Sequence, residues 1–105
     1  MSRLPKLRQT RAELLRHIGS LEKMRRGSVI HQFHKIRRPG SQTPVFSGPY
    51  PLFTCKKKGR TVARRLRDPE EVRKLEAQVE NHHVFRRLCS QLVDVSEAIC
   101  DEDRD

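Results

Sequence analysis

The stretch YPLFTCKKKGRTVARRLRDPEEV, residues 50–72, leaves a chain little choice of local structure. Seven of the twelve residues from Lys56 to Arg67 are Lys or Arg, and at Asp68 the sequence turns acidic, with three carboxylates in four positions. Leu52-Phe53-Thr54-Cys55 is apolar and strand-prone. Lys57-Lys58-Gly59-Arg60 reads as a tight turn, because Gly59 takes a positive φ at no steric cost, and Thr61-Val62-Ala63 begins a return strand. Residues 50–66 are therefore expected to form a basic β-hairpin. Strand alternation puts Phe53, Cys55, Val62 and Leu66 on one face and Thr61, Ala63 and Arg65 on the other. A lone two-stranded hairpin is marginal in water, so its apolar face must rest on another element.

The acidic switch is helix chemistry. Asp68 can cap, Pro69 suits the first helical position, Glu71 completes a capping box, and the carboxylates meet the positive end of the helix. The helix predicted from this start runs over 68–100. Its apolar residues fall into two groups, Val72, Leu75 and Val79, then Phe85, Leu88, Leu92, Val95 and Ile99. At about 100° per residue these groups point in different directions, and Cys89, Val93 and Cys100 continue the first. The C-terminal half is therefore apolar over a wide arc and must bury two sides, against the first helix and a further surface such as a second copy of the chain. Residues 101–105, DEDRD, read as a frayed acidic tail.

Upstream, Leu4, Leu7, Leu14, Ile18 and Leu21 recur at helical spacing and predict a helix over 4–26, with Pro5 in its first turn and a cationic outer face. Residues 28–49 contain Pro39-Gly40, Pro44 and Gly48-Pro49 and read as an irregular loop, mobile over 34–48, with Val29, Ile30 and Phe33 packing it onto the helices. The expected fold class is α+β, mainly α: helix, irregular loop, two-stranded hairpin and long helix, the helices packed antiparallel. The 105 residues fit a single small domain, and a core this lean favours self-association or a partner.

Charge separates along the chain. Residues 1–67 hold 18 Lys and Arg against Glu13 and Glu22, whereas residues 68–105 hold 5 against 11. A cationic segment of this density points to a polyanion, nucleic acid before an anionic membrane surface. The phosphate contacts would come from Lys56, Lys57, Lys58, Arg60, Arg64, Arg65 and Arg67, helped by Arg37 and Arg38, with Lys56–Lys58, Arg60 and Arg65 lining one ridge. A two-stranded ribbon also fits the major groove, which favours DNA over RNA. The alternative is a protein-interaction module, in which the apolar face of Phe85, Leu88, Leu92, Val95 and Ile99 binds another copy or a partner protein. Core use is expected for Phe33 and Phe53.

Catalysis and metals find little support. No Gly-rich phosphate loop or nucleophile motif occurs, and eleven of the thirteen acidic residues lie at 68 or beyond, where solvated helix faces carry them. The chain is read as a non-enzyme without cofactor. His31 and His34, three apart, and the pair His82-His83 lack a pattern that would gather four zinc ligands, Cys55 included. Cys55, Cys89 and Cys100 make no disulfide framework and suit a reducing cytoplasm. No apolar run reads as a signal peptide or membrane span.

Two segments, RRGSVIHQFHKIRRPGSQTPVFSGPYPLF and GRTVARRLRDPEEVRKLEAQVENHHVFRRLCSQLVDVSEAI, resemble a bacterial domain family of unknown function whose short members are often encoded beside transposases. The likeness runs over roughly residues 12–100 and is carried by Arg26-Gly27-Ser28, Gly48-Pro49-Tyr50, and the Val79-Glu80-Asn81 and Phe85-Arg86 elements. The resemblance implies a mobile-element setting and a transposase as a partner. Typical members carry loop cysteines spaced C-x4-C-x-C and a His before Gly-Pro-Tyr, which look like zinc ligands. The corresponding positions here are Ile36, Ser41, Thr43 and Ser47, none of which replaces a thiolate or imidazole. Metal binding is therefore not carried over. A zinc ribbon with other ligands is the third reading.

Overall fold

The computed structural model describes residues 2–37, 39–40 and 42–103. Helix α1 (Leu4–Ser20) is followed by strands β1 (Ser28–Ile36), β2 (Val45–Lys57) and β3 (Arg60–Arg65), and then by helix α2 (Pro69–Glu102). The strands form one antiparallel sheet in the order β1-β2-β3. The chain divides into two compact units, a helical unit of residues 1–24 and 80–105 and a sheet unit of residues 25–79.

The sheet unit is organised around Phe53, Leu66, Leu75 and Val79, all buried, with Val29, Cys55 and Val72 packed against them. Phe53 pairs with Val29 on one side and with Arg64 on the other, so these three share a face. Further along that face, His31 bonds Glu76 of α2 at 3.2 Å and Arg64 bonds Glu71 at 2.6 Å. This is the helix-side face of the sheet. Leu66 is its most buried residue, and its amide donates to Pro51 O at 2.9 Å, continuing the β2–β3 ladder past the end of the strand. The first apolar group of α2, Val72, Leu75 and Val79, thus serves the sheet.

The basic hairpin forms, with Lys58 and Gly59 as its two-residue loop at φ 52° and 80°. Two successive positive φ values match the strand twist, and glycine takes the second without cost. The hairpin is, however, only part of the sheet. Residues 28–49 are not an irregular loop: β1 and the first half of β2 pair from Ser28↔Thr54 to Ile36↔Val45. The register breaks once, where Phe33 stands opposite Gly48-Pro49. A proline has no N–H to give the ladder, and a bulge is where a strand tolerates one. Of the expected mobile segment, residues 34–36 and 45–48 are strand, and Arg38 and Ser41 lie outside the described residues. Val29 packs on the core, but Ile30 (44 % exposed) and Phe33 (58 %) do not.

Both helices end differently from expectation. Gly19 and Ser20 are weak helix formers, the Ser20 hydroxyl donates to His17 O at 2.6 Å, and Leu21 is already extended, so α1 stops at Ser20 rather than at 26. Helix α2 starts where Asp68 caps it, with Glu70 N donating to Asp68 Oδ1 at 3.0 Å. No capping box closes, because the Glu71 carboxylate is taken by Arg64. At the other end α2 continues through Glu102, and Asp103 accepts an ion pair from Arg8 at 3.5 Å, so the acidic tail is not frayed over 101–103.

In the helical unit, Leu4, Leu7, Leu14, Ile18 and Leu21 are all half-buried, as are Phe85, Leu92, Val95 and Ile99, and Leu88 is buried at 5 % exposure. Among the described residues, Arg8 pairs with Asp103, and Asn81 Nδ2 donates to Lys23 O at 3.0 Å, joining the segments.

Gly27 sits at φ 135°, where a Cβ would lie 2.7 Å from both the Phe53 ring and Thr54 O. Gly27→Ala is expected to destabilise the protein by about 1–3 kcal/mol through overpacking and backbone strain. Gly19→Ala meets nothing within 4 Å in a helix and should stabilise by up to about 1 kcal/mol. Urea denaturation of the two variants checks the contrast, and an unchanged midpoint for Gly27→Ala would contradict this packing.

Candidate nucleic-acid interface

The cations of the hairpin are all exposed, but strand geometry divides them. Residues alternate faces along a strand, so a consecutive run such as Lys56-Lys57-Lys58 cannot stay on one side. Lys57 pairs with Arg60 on the helix side of the sheet, the side of Arg64. Lys56 and Arg65 project from the outer face, and Lys58 occupies the turn. The single ridge expected from the sequence is therefore two clusters, one on each side of the ribbon.

On the helix side, Arg25, Arg26, Lys57 and Arg64 surround a cavity of about 340 Å³ whose apolar wall includes Phe53 and Cys55. Arg25 is anchored twice to Gln78, its amide donating to the backbone carbonyl at 3.0 Å and its Nε to the side-chain oxygen at 2.9 Å. Arg25 and Arg26 were hidden in the sequence because the apolar stripe of α1 seemed to run past them. The signal was Gly27, which brings this segment against Phe53 and Thr54.

On the outer face, the Arg65 guanidinium lies 4.5 Å from the centre of the Tyr50 ring, and both line a shallow cavity of about 380 Å³ with Arg67. The Tyr50 hydroxyl hydrogen-bonds Ser47, and the His34 ring lies 5.2 Å from that of Tyr50, centre to centre. Stacked on an aromatic face, a guanidinium keeps its edge N–H groups free to donate to phosphate.

Of the seven hairpin cations, Arg64 alone has a carboxylate partner among the described residues. Lys56, Lys57, Lys58, Arg60, Arg65 and Arg67 have none, and neither does Arg37 at the end of β1. Arg38 lies outside the described residues. The charge count sharpens the picture. The sheet unit holds 14 Lys and Arg against 4 Asp and Glu, whereas the helical unit holds 9 against 9. The net charge of +10 thus resides entirely in the sheet unit, and the helical unit is neutral overall.

His31 and His34 point to opposite faces of β1, one to Glu76 and the other to Tyr50. Among the described residues no three His, Cys, Asp or Glu side chains gather to hold a metal ion. Cys55 and Cys89 are half-buried thiols and Cys100 an exposed one. No described helix is long and apolar enough to cross a membrane. No family model, curated protein or solved structure matches the chain.

The Arg64–Glu71 pair is short but its side chains remain 55 % and 38 % exposed. Water and salt screen such a pair, so Glu71→Gln should lower stability by no more than about 1 kcal/mol. The loss should shrink with added salt. Thermal melts at low and high ionic strength check this, and a loss that is insensitive to salt would count against a screened surface pair.

Proposed function

We propose that this protein is a non-catalytic nucleic-acid-binding accessory protein whose sheet unit holds the phosphate backbone. The observation that carries this reading is the confinement of the whole +10 to 55 residues, with six hairpin cations free of carboxylate partners. Arg25 and Arg26 join Lys57 and Arg64 from the segment before β1, and Arg37 adds a cation at the far end of the β1–β2 ribbon. The two-sided hairpin suits insertion between two phosphate ridges better than a flat contact, as in a ribbon entering a major groove. Likeness of sequence to a domain family encoded beside transposases supports a mobile-element setting and a transposase as a further partner. A cytoplasmic location fits three free cysteines.

Neutralising six phosphates releases their counterions, so log affinity for duplex DNA should fall against log salt with a slope of about −5. Lys57→Ala should flatten that slope by about 0.9, and Glu71→Gln, which releases Arg64, should steepen it by about as much. A salt titration with duplex DNA, single-stranded DNA and RNA reads all three, and a flat response for every ligand removes the proposal.

A second reading has an observation of its own. In the helical unit Leu88 is the only described residue that is buried, and Val93 is 55 % exposed. Among the described residues, Arg8–Asp103 and Lys23–Asn81 join the two segments of this unit, and the apolar side chains of α1 and of the second half of α2 remain half-covered. A second copy of the chain docking on Phe85, Leu92, Val95 and Ile99 would complete that core. Val95→Asp should turn a dimer into a monomer in sedimentation equilibrium. A wild-type protein that is monomeric at high concentration contradicts this reading.

A further inference from the structure

The part of the β1–β2 ribbon beyond the reach of β3 carries a feature the phosphate contacts do not use. β3 pairs only with Leu52–Lys57, and Leu66 N extends that ladder to Pro51 O, so among the described residues β2 from Val45 to Tyr50 has β1 as its sole strand partner. On the helix side of β1, Val29 is in the core and His31 reaches Glu76; alternation then puts Phe33 and Lys35 on the same side. Phe46 stands directly opposite Lys35. Phe33 is 58 % exposed and Phe46 62 %, so two of the four phenylalanines of a chain with a lean core lie open to water, where Phe33 was expected to be buried. Past His31–Glu76, the described side chains on this side of the ribbon, Phe33, Lys35 and Phe46, are all exposed.

What surrounds these rings defines what can cover them. No Asp or Glu occurs anywhere between Glu22 and Asp68. Lys35 flanks Phe46, and Lys35 and Arg37 line a shallow cavity of about 310 Å³ with Pro44 at the end of the ribbon. The ligand must offer flat apolar faces and negative charge together at a spacing of a few ångströms. Paired bases are stacked on one another and show their faces to nothing, whereas unpaired bases on a phosphate backbone meet both requirements.

We infer that Phe33 and Phe46 form a stacking platform for unpaired bases and that Lys35 and Arg37 hold the flanking phosphates, which makes single-stranded nucleic acid the ligand of this end of the sheet. The inference rests on the polyanion reading above and narrows its substrate class. A single strand tracking from the hairpin cations onto the platform has its backbone on one group and its bases on the other.

The test uses three labelled probes of about 15 nucleotides: an oligothymidylate, an abasic strand of the same length, and a duplex. Oligothymidylate should bind at least about tenfold more tightly than the abasic strand. Phe33→Leu and Phe46→Leu keep the apolar bulk and remove the ring; each should weaken oligothymidylate binding by about five- to hundredfold. Both variants should leave the salt slope and the abasic affinity unchanged, and Phe46→Tyr should bind like wild type. Circular dichroism and melting temperature confirm that the variants fold. Equal binding of oligothymidylate and abasic strand, or leucine variants that bind like wild type, overturns the platform while leaving salt-dependent binding in place. Leucine variants that change only the sedimentation of the protein alone assign the rings to a second copy and also overturn it. Salt-independent binding to all three probes removes the parent reading instead.

Discussion

The contact of Phe53 with Leu66, Leu75 and Val79 decides the geometry of the sheet unit. Once Phe53 faces α2, alternation sends Tyr50, Leu52 and Lys56 to the outer face and commits Cys55 and Lys57 to the helix side. Register then sets the neighbours: Arg64 opposite Phe53, Arg65 opposite Leu52, Arg60 opposite Lys57. Two side-chain bonds from α2, through Glu71 and Glu76, brace this face on either side of the cluster. Few residues do the burying, so those few also dictate where every cation points.

The division of charge follows the division of the chain. In the helical unit cations and carboxylates are equal in number, and Arg8 pairs with Asp103. In the sheet unit the carboxylates come only from Asp68 and the first turns of α2, and the strands have none. Asp68 caps the helix and two of the others, Glu71 and Glu76, are engaged with the sheet, which leaves little to offset the hairpin. The units therefore differ in charge, the sheet unit strongly cationic and the helical unit neutral overall.

Much of this was legible in the residues. Lys58-Gly59 announced its turn because only a positive φ closes a two-residue hairpin well. Asp68-Pro69 announced α2, whereas the residues did not say that Val72, Leu75 and Val79 serve the sheet unit and Leu88 the other. The strand β1 was not legible. Its partner, Val45 to Pro51, contains Gly48, Pro49 and Pro51, residues that normally break a sheet, and the bulge that absorbs Gly48-Pro49 depends on where Phe33 lies in three dimensions. The site was half legible. The exposure of the hairpin cations follows from their type, but a sequence count cannot say that Arg64 is held by Glu71, that Lys57 and Arg65 face apart, or that Arg25 and Arg26 border the same cavity as Phe53. Those facts depend on pairings between residues far apart in the chain.

Ten uncompensated positive charges on 55 residues also act on the molecule itself. Repulsion among like charges opposes compaction, and it is relieved by whatever supplies anions nearby. An anionic polymer that engages the folded ribbon more strongly than the unfolded chain removes that repulsion and shifts the folding balance by mass action. The sheet unit is in this sense an incomplete electrolyte, whose folded state gains stability from any counterion that collects on it.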